Sequence, residues 1–190
     1  AMTETGLREV KNPSAIFLSR PENVAPGSSV ICTWEGTRPL LVEVQALVDS
    51  SLGGSPKRVA VGLDGQRLTM LLAILHRHGH VQLGDQDVFV NAVGGVKVTE
   101  TGADLGLLLA CVSSFLGKTI PKDWIIFGEV GLSGEVRPVA SGQERIREAA
   151  KHGLKKAIVP SANAPKQPVN GIEVYPVERI SQVLELFDES

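Results

Sequence analysis

A chain of 190 residues with 43% hydrophobic and 21% charged side chains carries enough apolar material for one packed domain, which excludes a disordered segment. A formal net charge of −2 excludes a uniformly basic nucleic-acid binder, and 4% aromatics require a core built from Val, Leu, Ile and Ala. No apolar run is long enough to cross a bilayer and no signal-peptide pattern opens the chain, so a cytoplasmic protein without membrane contact is expected.

Residues 1–10 read as a loose extension, with Ala1-Met2 an added or truncated start, and residues 11–190 as a single domain. Asn12-Pro13 opens a short helical turn, with Asn as cap and Pro at the first helical position. Two strands follow, Ser29–Trp34 and Pro39–Val48. In the second, Val42, Val44, Ala46 and Val48 alternate with Glu43 and Gln45, and the two strands read as an antiparallel hairpin. Arg58–Leu63 is a third strand. Asp64-Gly65 leads into a helix Gln66–His78 with a Leu68, Leu71, Leu72, Leu75 stripe, ended by Gly79. Asp87–Ala92 is an apolar strand. Trp124–Glu129 and Glu135–Val139 flank a Gly-rich turn at Gly131–Gly134. Ser141 with Glu144 forms a capping box for a helix Gln143–His152, stopped by Gly153. Lys156–Val159 and Ile172–Val177 are the last strands, and Arg179–Phe187 the last helix. Early antiparallel strands followed by alternating strand and helix indicate an α/β (α+β) domain with a mixed sheet.

The chain is organised around Val96–Gly117. Thr101 and Asp104 stand in capping-box spacing, so Thr101 is expected to cap the helix while Asp104 faces its positive end. Leu105, Leu108, Leu109, Val112 and Leu116 form one stripe, and Leu107, Cys111 and Phe115 cover another. A helix apolar on several faces belongs in the middle of a domain. Its N-terminus, with N–H groups pointing outward, is where a nucleophile or an anion could sit.

Three motifs carry less than they suggest. Gly117-Lys118-Thr119 resembles the tail of a phosphate-binding loop, but position 112 is Val and the tripeptide follows a helix. Gly117 therefore reads as a helix stop, with Lys118 near the negative end of the dipole. His76, His78 and His80 have no companion cluster, so no metal site is expected. Cys32 and Cys111, far apart in apolar surroundings, read as buried thiols. Charge is polarised along the chain. Six basic residues (Arg137, Arg145, Arg147, Lys151, Lys155, Lys156) face two acidic ones between Arg137 and Lys156, whereas Ile172–Ser190 holds five acidic and one basic. Arg145 and Arg147 lie about 200° apart on a helix and cannot point the same way. Arg147 and Lys151 are neighbours one turn apart.

Six blocks resemble one known family in the right order: Leu7–Ser14 (LREVKNPS), Glu35–Val48 (EGTRPLLVEVQALV), Val59–Leu68 (VAVGLDGQRL), Asp87–Thr101 (DVFVNAVGGVKVTET), Phe127–Val139 (FGEVGLSGEVRPV) and Gly142–Gly153 (GQERIREAAKHG). They look like the C-terminal Lon-protease-like domain of the bacterial RadA (Sms) family. The resemblance implies a Lon-like fold and a ring assembly, expected to be hexameric, that works beside a zinc finger and a RecA-like ATPase motor. ATP, Mg and Zn would belong to those other domains, and no cofactor is expected in this chain. DNA, bound without regard to sequence during branch migration, is the implied partner, together with a recombinase. Lon peptidases use a Ser nucleophile and a Lys base. Their positions fall here on Gly102 and Gln143, and neither residue can do that chemistry. Thr101 adjoins the first but is expected to be occupied as the cap. The DNA-binding candidates are Lys57, Arg58, Arg67, Lys97, Lys118, Arg145, Arg147, Lys151, Lys155 and Lys156. Two rivals stand beside this reading: a Lon-type Ser/Lys peptidase with a displaced dyad, and a pure oligomerisation module without DNA contact.

Overall fold

The computed structural model describes residues 25–190; the helical turn at Asn12 and the 1–10 extension lie outside the described residues. The hairpin forms as the alternation requires: β1 (Ser28–Glu35) pairs antiparallel with β2 (Arg38–Ser50), in a register that sets Ile31 opposite Val42. Glu43, a polar member of that alternation, is buried. Its carboxylate accepts from Ser28 Oγ at 2.6 Å and from Gln45 Nε2 at 3.0 Å, which is what a carboxylate inside a sheet requires.

β3 (Arg58–Val61) is shorter than expected and lies parallel to β4 (Gln86–Ala92), which in turn pairs antiparallel with β2. Between them runs α1 (Gly65–Ile74). Asp64 caps it, its Oδ1 accepting from Gln66 N at 2.8 Å. Gly79 does not end this helix. The chain leaves the α-form after Ile74, makes a π-helical turn over Leu75–Gly79, and reverses at His80, whose φ of 56° is left-handed.

β5 (Trp124–Ile126), β8 (Lys156–Pro160) and β9 (Glu173–Val177) add to β1 in parallel, giving a seven-stranded mixed sheet in the order β3-β4-β2-β1-β5-β8-β9. The strand expected at Trp124–Glu129 is split. Its end forms a separate two-stranded sheet, β6 (Glu129–Val130) with β7 (Val136–Arg137). One face of the large sheet carries α1, α2 (Asp104–Leu116) and α4 (Ile180–Glu189). The other face carries α3 (Gly142–Lys151), packed through Ile146 and Ala149 onto Val30, Leu41, Ile125 and Phe127. Ser141 does not act as a capping-box residue. It adopts a left-handed φ of 59° and makes no side-chain cap bond.

The central helix α2 is buried from Asp104 to Ser113. It ends on Gly117 (φ 67°), in the conformation a glycine cap supplies. Its two serines fasten the sheet: Ser113 Oγ accepts from Gly27 N at 2.9 Å, and Ser114 Oγ accepts from Val48 N at 2.9 Å. Gly106 lets the helix approach β1, because a Cβ there would stand 2.4 Å from Ile31 Cγ2 and 3.2 Å from the Ile126 carbonyl. Gly106→Ala gains about 1 kcal/mol of helix propensity but overpacks a full core at a cost of about 1–3 kcal/mol. Urea denaturation is expected to show net destabilisation; an unchanged or raised midpoint would contradict this packing.

Candidate functional site

The start of α2 is built differently from the capping box that its sequence suggests. Thr101–Ala103 is a 3-10 turn, Ala103 is the cap residue, and no side chain caps the helix. Thr101 is exposed, and its carbonyl, not its hydroxyl, takes the Asp104 N–H. The next N–H, of Leu105, donates to Gly128 O at 3.1 Å, while Gly128 N donates to Gly102 O at 2.9 Å. These donors are used inside the domain instead of pointing outward.

Asp104 is also turned inward. Its Oδ2 accepts from Val130 N at 3.0 Å, and its two oxygens take the forked guanidinium of Arg67, which itself donates to Val130 O at 3.1 Å. One buried carboxylate thus ties α1, α2 and β6 together. Burial pushes the Asp104 carboxyl up, against the opposing pull of Arg67 and the Val130 N–H, while pairing pushes the Arg67 guanidinium up. A carboxyl held above its unfolded value contributes stability in acid that is lost as pH rises through the folded value. The raised Arg67 guanidinium acts in the opposite sense, favouring the folded state at neutral pH, so the two shifts oppose each other there and the pair's clear role is to orient the three elements.

Gly102 lies under a second ion pair. Arg145 comes from α3 and is 2% exposed. Its Nη1 donates to Glu100 Oε1 at 2.5 Å and to Cys32 O at 2.6 Å, its Nε donates to Ala140 O at 2.9 Å, and it sits over the Phe127 ring. A Cβ added at Gly102 would be 2.6 Å from Glu100 Oε1 and 3.4 Å from Arg145 Nη1. A side chain at 102 would require the Glu100 carboxylate, the end of a flexible side chain held by Arg145, to shift, and it would press on Val139 Cγ1 at 3.2 Å.

Two concavities flank this region. A cleft of about 100 Å³ is lined by Leu63, Asp64, Arg67, Val98, Thr99, Glu100, Thr101, Ala103, Asp104 and Leu107. It contains carboxylates and one arginine but neither lysine nor histidine, so the free Thr101 hydroxyl has no nitrogen base beside it there. A groove of about 520 Å³ runs between the start of α3 and the 161–169 loop, lined by Gln143, Arg147, Ala162, Ala164, Pro165, Lys166, Gln167, Pro168 and Val169. Gln143 is exposed in this groove, whereas Gly102 is buried. Among the described residues no group of three His, Cys, Asp or Glu side chains could hold a metal ion. His78 instead contacts Leu132 O at 3.0 Å, and His152 pairs with Glu148 at 3.0 Å.

The ten basic candidates divide by what they touch. Arg67 is spent on the buried Asp104 carboxylate and Arg145 on the partly exposed Glu100. Arg58 donates to the carbonyls of Leu83 and Gln86. Lys118 donates to Phe187 O at 2.6 Å and Asp188 O at 2.9 Å. It closes the C-terminal end of α4 instead of its own helix. Lys156 is half-buried with its ammonium over the Tyr175 ring. Lys57, Lys97, Arg147, Lys151 and Lys155 are exposed, and Arg147 alone of these lines the groove. Sequence reasoning passed over Lys166, which sits among prolines outside the basic run, and Glu100, which meets Arg145 across 45 positions. No local pattern links such pairs.

The family model described as the Lon protease (S16) C-terminal proteolytic domain matches residues 79–187, more than half of the chain. The chain belongs to the Lon protease C-terminal domain family. Among curated proteins it is 65% identical over 189 residues to DNA repair protein RadA of Salmonella typhimurium, covering 100% of this chain and 41% of that protein. It is 47% identical to DNA repair protein RadA of Aquifex aeolicus (97% of this chain, 41% of that protein) and 43% identical to that of Bacillus subtilis (96% and 40%). The chain thus spans about two fifths of the length of these relatives. The mixed sheet with packed helices agrees with the Lon-like fold expected from the six blocks. No helix among the described residues is long and apolar enough to cross a membrane.

Two outcomes test this geometry. Burial raises the thiols of Cys32 and Cys111 to about 12. At pH 8 a thiol-exchange reagent should therefore label neither cysteine in the native Lon-like domain and both after denaturation; fast native labelling would contradict their burial. Glu100→Ala leaves the Arg145 charge facing carbonyls alone. Since the Glu100 side chain is 27% exposed, the expected loss is about 2–3 kcal/mol, below the ~3–5 of a fully buried pair. Chemical denaturation reads it directly.

Proposed function

We propose that this chain is a non-proteolytic Lon-like domain of a RadA-type DNA repair ATPase, serving as a scaffold for a ring and as a sequence-independent DNA contact. The observation that carries the first part is the Glu100–Arg145 pair in the space beside Gly102. Where the family resemblance places a serine, this chain has no side chain, and a returned one would need the Arg145-bound Glu100 carboxylate to shift. At the position of the expected lysine stands Gln143, whose amide cannot take a proton from a hydroxyl near neutral pH.

The repair role is supported by the identity to proteins named for DNA repair. In this reading the domain works in the cytoplasm, beside a recombinase, during branch migration, in a ring of six. ATP, Mg and Zn are held by other parts of the longer protein, as the 41% coverage of the relatives leaves room for. The exposed Lys57, Lys97, Arg147, Lys151 and Lys155 supply charge for phosphates without reading bases.

The test is DNA binding by the 190-residue chain across salt. Affinity for labelled DNA should fall between about 50 and 200 mM salt, with a log–log slope of about −0.7 to −0.9 per phosphate contact. A ring by light scattering without salt-sensitive binding would favour the pure oligomerisation module. Stoichiometric labelling of Thr101 by a fluorophosphonate, or cleavage of an unfolded protein, would favour the peptidase.

A further inference from the structure

We propose that the groove between α3 and the 161–169 loop holds the sugar-phosphate backbone of one DNA strand, gripped from one wall by Arg147 and from the other by Lys166. This deepens the DNA-contact reading and rests on it. The groove, at about 520 Å³, is the larger of the two concavities described, and its lining contains two cations and no carboxylate. Both cations are exposed, and neither makes a hydrogen bond or ion pair among the described residues, unlike Arg58, Arg67, Lys118 and Arg145. The acidic residues of α3, Glu144 and Glu148, do not line it, and Glu148 is engaged with His152. An unpaired cation on each wall, with no neutralising anion between, is the arrangement that attracts a linear polyanion.

The rest of the lining says how a strand would be held. Ala162, Ala164, Pro165, Pro168 and Val169 give a small-residue surface with no aromatic ring, so the groove is no platform for stacking bases. Gln143 and Gln167 supply amides that donate to phosphate oxygens. The contact is therefore with the backbone and indifferent to sequence. The loop wall is fixed in place: Asn163 Oδ1 accepts from Val139 N at 2.8 Å, and its Nδ2 donates to Val139 O at 2.9 Å. Lys151, exposed one turn beyond Arg147, extends the basic track along α3.

The experiment compares the parent chain with Arg147→Glu, Lys166→Glu and the double variant by fluorescence anisotropy on labelled single-stranded and duplex DNA. Thermal melting verifies the fold of each. Arg77→Glu, exposed on the opposite face of the sheet, is the control for net charge. Each single reversal should weaken single-strand binding about tenfold, and the double variant should flatten the salt slope by about 1.4–1.8, two contacts' worth. Arg77→Glu should stay within about twofold of the parent, as expected of a surface charge away from the contact. A double variant that binds like the parent overturns the groove while leaving DNA contact intact. Equal loss in Arg77→Glu, or loss on duplex alone, overturns it as well. A parent chain that binds no DNA removes both this proposal and the reading beneath it.

Discussion

A single guanidinium holds the middle of this domain together. Arg145 reaches from α3 through the end of the sheet to Cys32 on β1, to Ala140 at the exit of the β6–β7 hairpin, and to Glu100 ahead of α2. Three stretches of chain far apart in sequence, around Cys32, Glu100 and residues 140–145, meet on one side chain, with the Phe127 ring beneath it. A buried arginine is tolerated only when its donors and its charge are both answered. Two carbonyls and one carboxylate do so here. The positions of α3 and of the segment entering α2 are therefore set jointly.

Asp104 performs the complementary task with the opposite charge. It binds Arg67 of α1 and the backbone of Val130, so the small β6–β7 sheet is anchored to the two helices on the far face. The two ion pairs, each with one buried and one partly exposed member, thus bracket the start of α2 from either side. The segment between them, Thr101–Ala103, has little freedom to adopt the open geometry of a reactive helix terminus.

Much of the architecture was legible because periodicity reports burial directly. The β1–β2 hairpin, the leucine stripe of α1 and the apolar α2 all follow from spacing that a folded chain must satisfy. The failures share a cause. Thr101 and Ser141 stand at capping-box spacing, yet neither caps, because tertiary contacts of Asp104 and Arg145 decide the local backbone. Glu43 alternates with apolar residues on β2 yet is buried, because that strand packs against α2 and α3. Likewise, basic residues counted along the chain say nothing about which are consumed internally. Arg145, Arg67, Arg58 and Lys118 look identical in sequence to Arg147, and only the fold separates them. Lys166 was invisible for the converse reason, being alone in a Pro-rich loop that the fold brings against α3.

The crowding at Gly102 bears on reversibility. A serine introduced there collides with Glu100. Removing Glu100 strands the charge of Arg145, and removing Arg145 takes one donor from each of the carbonyls of Cys32 and Ala140. A side chain can return to position 102 only if the Glu100–Arg145 pair rearranges with it, so the residue at 102 is coupled to its near neighbour Glu100 and to Arg145 on another helix.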